Sequence, residues 1–298
     1  MELDLEKTWP IISSEYLADR RTVETCLVEI PVGTSSMDKI VVFGFDGHLF
    51  VYSGANDICA QYLMDEEEAQ RLAAQWISKI EARRAFLQAR NIQFLQIMIP
   101  EKSSLLPAKA PFPAFAGTPL QRAITASQGH RMDYLDARDV FDDEEALSAF
   151  PKANGHLSPS GNLKIFQVAL ERLGFGAPII EFGPAQIMRS DLGDHFSGMV
   201  FYNRVSQPTS PELWHYQDGM RLLHCVDPDG HLGQQRTWSN ANAPIKKRVL
   251  AFGNSFFERG GSPTGLSWWF GRWFVLIQIS LKSISRTSSS VSRLSGSS

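Results

Sequence analysis

Residues 65–100 constrain the fold more than any other stretch of the chain. Asp65 stands at a helix N-cap, and Glu68 occupies the capping-box position. Ala69, Leu72, Ala73, Trp76, Ile80 and Leu87 then recur at helical spacing. Asn91 closes the helix, and Ile92–Ile99 is an apolar run stopped by Pro100. A helix that feeds a buried strand is one half of a crossover unit, so the segment predicts a largely parallel sheet.

The remaining punctuation fits an α/β chain. Cys26–Val32 and Lys39–Phe43 read as short strands around the turn Gly33–Ser36, and His48–Tyr52 continues as a strand after Gly44–Gly47. Residues 103–119, rich in proline, serine and alanine, predict a long surface loop. A helix over 119–128 and a strand over 132–135 come next. Ser158-Pro159-Ser160 opens another helix, which turns Leu163, Phe166, Leu170 and Leu173 inward and ends at Gly174. Alternation over Phe196–Val205 and Met220–Val226 predicts two antiparallel strands in an inserted segment, and Trp268–Phe274 reads as a helix seeking a core. From Lys282 onward the chain is nearly all serine, and 282–298 is expected to be disordered.

Composition excludes several functions. The 298 residues carry a net charge of −3, too little basic surface for nucleic acid. No apolar run is long enough to span a membrane. The acidic start, Met1–Lys7, is not a secretory signal, so the expected compartment is cytoplasmic, in keeping with three scattered cysteines at 26, 59 and 225. There is no His-x-x-x-His, Cys-x-x-Cys or Gly-x-x-x-x-Gly-Lys pattern, so neither a metal nor a cofactor is expected.

The chemistry-bearing segment is Lys247–Phe256. An apolar run meets Gly253, and Ser255 stands just past the strand end, where a hydrolase presents its nucleophile and backbone N–H groups receive an oxyanion. A serine needs a base. Of the seven histidines, His156 lies in the loop Phe150–Gly161, directly before a capped helix.

These segments together resemble the SGNH-hydrolase-like acetyltransferases typified by the alginate O-acetyltransferases. Asn154-Gly155-His156-Leu157 stands where that family has Asp-x-His-Trp, and Ser158-Pro159-Ser160-Gly161 matches its helix entry. Gly253-Asn254-Ser255 is similar to its Gly-Asp-Ser, with the histidine preceding the serine in a permuted order. Phe43–Phe50 resembles its Gly-x-Asp-Gly-Trp-Leu-Phe hairpin, Ile97–Lys102 its strand ending in Pro-x-Lys, and Arg189–Phe196 an Asp-Leu-Gly motif of related members.

The resemblance implies a three-layer α/β/α sandwich with a largely parallel, SGNH or flavodoxin-like sheet. Residues 39–281 would form this domain, after an N-terminal extension over 1–38. The family's final strand and helices have no counterpart after Phe274, so the domain is expected to be incomplete at its C-terminus. Ser255 would attack an acetyl donor, His156 would take its proton, and the acceptor would be a carbohydrate or a related small molecule. Gly253, Asn254 and the Ser255 backbone would serve the oxyanion, with Lys102 as a pocket cation. Family members are often periplasmic, which stands against the cytoplasmic expectation. Nothing in the sequence fixes the oligomeric state.

One departure divides the functional expectation. Asn154 occupies the place of the carboxylate that orients the histidine, and that exchange costs about 10⁴ in turnover in a serine protease triad. Either a carboxylate such as Asp142, Asp143, Glu144 or Glu145 substitutes in space, or the chain is a catalytically impaired carbohydrate-binding or scaffold protein.

Overall fold

The structure, a computed structural model, describes residues 8–11, 26–54, 57–177, 179–196, 200–209, 219–226, 235–253 and 270–276. The chain divides into two compact units, 1–211 with 260–262 and 212–259 with 263–298.

The first unit begins with β1 (Thr8–Ile11) antiparallel to β2 (Cys26–Glu29). β3 (Val41–Phe43) and β4 (Leu49–Val51) form a hairpin, turned by Asp46 at φ 53° and Gly47 at φ 74°. After α1 (Ile58–Tyr62) comes α2 (Glu66–Gln88), capped as the sequence predicts: Asp65 Oδ1 accepts from the Glu68 N–H at 2.8 Å. The strand expected over 92–99 is shorter, β5 (Gln96–Met98). It leads through α3 (Lys102–Leu105) and α4 (Pro119–Gln128) to β6 (Tyr134–Asp136), its parallel partner. The unit continues with α5 (Asp143–Ala149) and α6 (Pro159–Arg172), then β7 (Phe182–Arg189) antiparallel to β8 (Tyr202–Pro208).

The second unit is a four-stranded sheet of β9 (Met220–Val226), β10 (Gln235–Asn240), β11 (Ile245–Phe252) and β12 (Phe270–Leu276), in the order β11-β12-β10-β9. β10 runs antiparallel to both neighbours, and β11 runs parallel to β12.

This is a mixed α/β fold with small sheets, mostly antiparallel. The expected three-layer sandwich around one parallel sheet is not formed among the described residues. The parallel pairs arise where the connection is long, as between β5 and β6 or β11 and β12. Short connections, such as the turn between β3 and β4, can join strands only antiparallel. Two local expectations change as well. Phe270–Leu276 is a strand rather than part of a helix, because its residues pair with β10 and β11 on both edges. The two expected antiparallel strands form, β8 beside β7 and β9 beside β10. The expected surface loop at 103–119 opens on a helical turn in which Lys102, Ser103 and Ser104 are buried. The serine-rich tail lies outside the described residues. No helix among the described residues is long and apolar enough to cross a membrane.

Two cores hold the first unit's loops and helices in place. α2 packs on α4 and β6 through Ala73, Ile80, Ile124 and Tyr134. A second cluster, Val41, Phe43, Leu49, Ala153, Leu192, Phe196 and Phe201, joins the β3–β4 hairpin to two loops. Its rings interlock, with Phe43 centred 4.9 Å from Phe196 and 5.7 Å from Phe201. Each buried ring contributes roughly 2–3 kcal/mol by desolvation alone. Because Ala153 and Leu192 belong to the cluster, that energy also fixes the loops that carry His156 and Asp191.

Candidate active site

His156 closes the loop between α5 and α6. The loop's exit is set by α6, whose N-cap Ser158 accepts from the Gly161 N–H at 3.1 Å and donates its own N–H to Ala149 O at 2.7 Å. Leu157 is buried and pins the histidine's C-terminal side. The ring is then held from outside the loop. Asp191 Oδ2 lies 2.7 Å from His156 Nδ1, and Asp191 Oδ1 accepts from the Gly155 N–H at 3.0 Å. An ionised carboxylate only accepts, so Nδ1 carries the proton and the neutral ring has its lone pair on Nε2. That is the tautomer a general base requires.

The electrostatics agree with the geometry. Burial alone would raise the Asp191 pKa, but the His156 side chain and the N–H groups of Gly155 and Leu192 outweigh it. The carboxyl therefore sits below its ordinary value and stays ionised. Its side chain is 24% exposed against 20% for His156, so the pair is shielded without being sealed.

Asn154 does something else. Its Oδ1 accepts from the His156 backbone N–H at 3.1 Å, an Asx turn that shapes the loop. The ring's partner is Asp191, not Asn154. The acidic run at 142–145 is not the substitute either. Asp142 Oδ1 caps α5 through the N–H groups of Glu144 and Glu145, and Glu145 pairs with Lys164 Nζ at 2.7 Å.

The Asp191 segment is docked onto the histidine loop at further points. Ser190, 1% exposed, donates its hydroxyl to Ala153 O and accepts from the Gly193 N–H. Asn203 Oδ1 accepts from the Ala153 N–H at 2.8 Å. From the other side the Leu49 N–H reaches Lys152 O at 2.8 Å. Lys102, expected as a pocket cation, turns its ammonium to the carbonyls of Pro151, Lys152 and Asn154.

Phe50, Val51, Glu101, Lys102, Ser103 and Gly155 line a small cavity of about 10 Å³, room for about one water. Burial pushes the Glu101 carboxyl up to about 7, against the opposing charge of the nearby His156 ring.

Gly253 comes directly after β11 and is half-buried; Asn254 and Ser255 lie outside the described residues. Sequence reasoning missed Asp191, Ser190 and Asn203 as parts of this site. Arg189–Phe196 carried a signal as a motif, but nothing in its spacing tied it to a histidine 35 residues earlier.

Among solved structures the chain is similar to Bacillus cereus PatB1. One PatB1 structure aligns with a TM-score of 0.52 at 14% identity, over 70% of this chain and 81% of that one. A second, described as carrying a sulfonyl adduct, aligns at 0.55 and 15%, over 83% and 87%. The O-acetyltransferase domain of Pseudomonas putida AlgJ aligns more weakly, with a TM-score of 0.48 and 15% identity over 79% and 78%. The two PatB1 alignments show that the fold is shared. The sequence matches no protein-family model, and no curated protein matches it.

Proposed function

We propose that the chain is a serine-dependent O-acyltransferase or acetylesterase acting on a carbohydrate, with Ser255 as nucleophile, His156 as general base and Asp191 as the carboxylate that orients the base. The observation that carries this reading is the 2.7 Å contact between His156 Nδ1 and Asp191 Oδ2. It supplies the oriented base that the Gly253-Asn254-Ser255 motif requires. The PatB1-like fold and the motif order support the same reading. Asp191 also favours this reading over a catalytically impaired scaffold, an alternative that rested on the absence of a carboxylate beside the histidine.

The steps balance simply. His156 Nε2 takes the Ser255 hydroxyl proton as the oxygen attacks the acetyl carbonyl, and the negative charge on the carbonyl oxygen is met by backbone N–H groups at the turn. The bond to the donor's leaving oxygen breaks, and that oxygen takes the proton from the imidazolium. A sugar hydroxyl, or water in an esterase, then attacks the acetyl-serine while His156 accepts its proton. The serine hydroxyl is restored and the acetyl group has moved. Asp191 holds the ring through this cycle and balances the imidazolium charge.

The test uses the full chain with p-nitrophenyl acetate and with phenylmethanesulfonyl fluoride. Turnover and formation of one sulfonyl adduct on Ser255 are expected, both lost in Ser255→Ala and His156→Ala. An adduct that forms elsewhere, or turnover that survives Ser255→Ala, overturns the assignment.

A further inference from the structure

We propose that Lys102 is a positioning residue for His156: its ammonium occupies a nest of loop carbonyls and holds the loop in the shape that brings the ring to Asp191. The role rests on the reading of His156 as a base, but the geometry is independent of it. Lys102 Nζ lies 2.8 Å from Pro151 O, 2.6 Å from Lys152 O and 3.4 Å from Asn154 O. An ammonium has three protons and no lone pair, so three converging acceptors match its charged form. The residue is 3% exposed, which keeps bulk water from replacing it. The Phe50 ring, centred 5.2 Å from Nζ, offers its negative face to the same charge.

The nest explains why a buried cation belongs here. Burial pushes the Lys102 ammonium well below its ordinary value, and the Asp191 carboxylate is the charge that opposes this. The cation and the histidine's carboxylate thus support each other across the loop. Carbonyl oxygens converging on one point repel each other unless a positive charge sits between them. Without the ammonium the loop at 151–154 must spread, and the next two residues in sequence are Gly155 and His156, the pair that bonds Asp191. Lys102 is the first residue of α3, placed by the end of β5, so the nest ties the catalytic loop to the parallel strand pair.

A purely structural lysine and a positioning lysine differ in what restores them. A small cation with N–H donors should enter the nest vacated by Lys102→Ala; one without them should not. In the full chain, Lys102→Ala is expected to lower kcat on p-nitrophenyl acetate by about 10²-fold with little change in KM, the loss that a misplacement of about 1 Å brings. Methylammonium should restore kcat several-fold, and tetramethylammonium should not. The same samples are read by ¹⁵N NMR of the histidine rings, where the His156 Nδ1–H resonance should be lost in the variant and return with methylammonium.

The NMR reading separates the two proposals. A wild type without turnover defeats the enzymatic assignment, while the Nδ1–H signal still tests Lys102. An unchanged His156 signal in folded Lys102→Ala overturns the positioning role, and so does a changed signal that methylammonium leaves unrestored. If Lys102→Ala does not fold, Lys102→Met keeps the apolar stem without the charge. Loss of the His156 signal in that variant is expected, and its retention overturns the proposal.

Discussion

Asp191 lies 35 residues beyond His156 in the chain and holds its ring nitrogen at 2.7 Å, while Asn154, two residues before the histidine, bonds only its backbone. The carboxylate and the loop-shaping residue have separate addresses. A substitution at each should therefore have a different signature.

Asp191→Asn should keep the ring near its place but reverse the donor and acceptor demands on Nδ1. Turnover of an acetyl ester should fall by up to about 10⁴, as in a protease triad. Asn154→Asp should give no gain, because the ring already has its carboxylate; Asn154→Ala should cost about 1 kcal/mol of stability through the lost Asx turn. Steady-state kinetics and urea unfolding of the three variants check this. A rise of tenfold or more in Asn154→Asp contradicts the role given to Asp191.

The range of the forces involved decides how much of the fold and site was legible in the sequence. Asp65 and Ser158 could be read as caps because a cap and the N–H that donates to it lie within one turn. The strand ending at Phe252 could be read from its apolar run. The His156 loop could be found from its helix entry. The Asp191 contact could not, because it depends on how Ala153 and Leu192 enter one core with Phe43, Phe196 and Phe201. The carbonyl partners of Lys102 were not legible for a similar reason. A lysine after Pro100 and Glu101 reads as a pocket cation, and nothing near it in sequence shows the carbonyls of a loop 50 residues away that fold over it. The sheet was over-read. Helix-to-strand units imply parallel pairs, but the number of strands such a pair recruits is decided by tertiary packing.

His48 makes the protein sensitive to acid. It is 2% exposed, its Nδ1 has no partner among the described residues, and burial, reinforced by Lys102, Lys152 and Lys109, depresses its pKa from 6.5 to about 3. Unfolded chain takes up the proton near 6.5, and folded protein only near 3. The contribution is therefore complete above pH 6.5 and is lost as pH falls toward 3, at up to about 1.4 kcal/mol per unit. His48→Phe removes this term. The stability difference between wild type and variant should shift by about 2 kcal/mol between pH 7 and pH 5 in favour of the variant. A constant difference over that range would contradict the burial of a neutral imidazole.

Glu101 acts with the opposite sign. Its carboxyl, raised from 4.5 to about 7 by burial, keeps its proton in the folded state over a range where the unfolded chain has lost it. Acidification from pH 7 to 4.5 therefore favours the fold at this position, which is why the His48 effect must be read as a difference from wild type. Glu101→Gln should stabilise the protein by about 1–2 kcal/mol at pH 8, after allowance for the carboxyl's partial exposure, and by almost nothing at pH 4.5. Thermal unfolding at the two pH values gives the answer. Equal effects at both would mean that the carboxyl is solvated.

The loop that carries Asp191 also takes part in a second histidine–aspartate pair, His195 Nδ1 to Asp38 Oδ2 at 2.6 Å. By distance alone it is as close as the first, and its surroundings separate them. Asp38 is 43% exposed, and its pKa falls to about 2 chiefly through the Ser36 hydroxyl, with His195 second. Among the described residues the backbone partner of its carboxylate is the Ile40 N–H, whereas Asp191 accepts from Gly155 in the histidine's own loop. A pair this exposed is screened by solvent and salt and contributes well under about 1 kcal/mol. His195→Ala should therefore leave acetyl-ester turnover within about twofold of wild type, and the small loss of stability should vanish in high salt. His156→Ala, measured beside it, should abolish turnover. Should the two alanine variants lose activity equally, the chemistry would depend on the whole 190–195 loop and not on the ring that Asp191 holds.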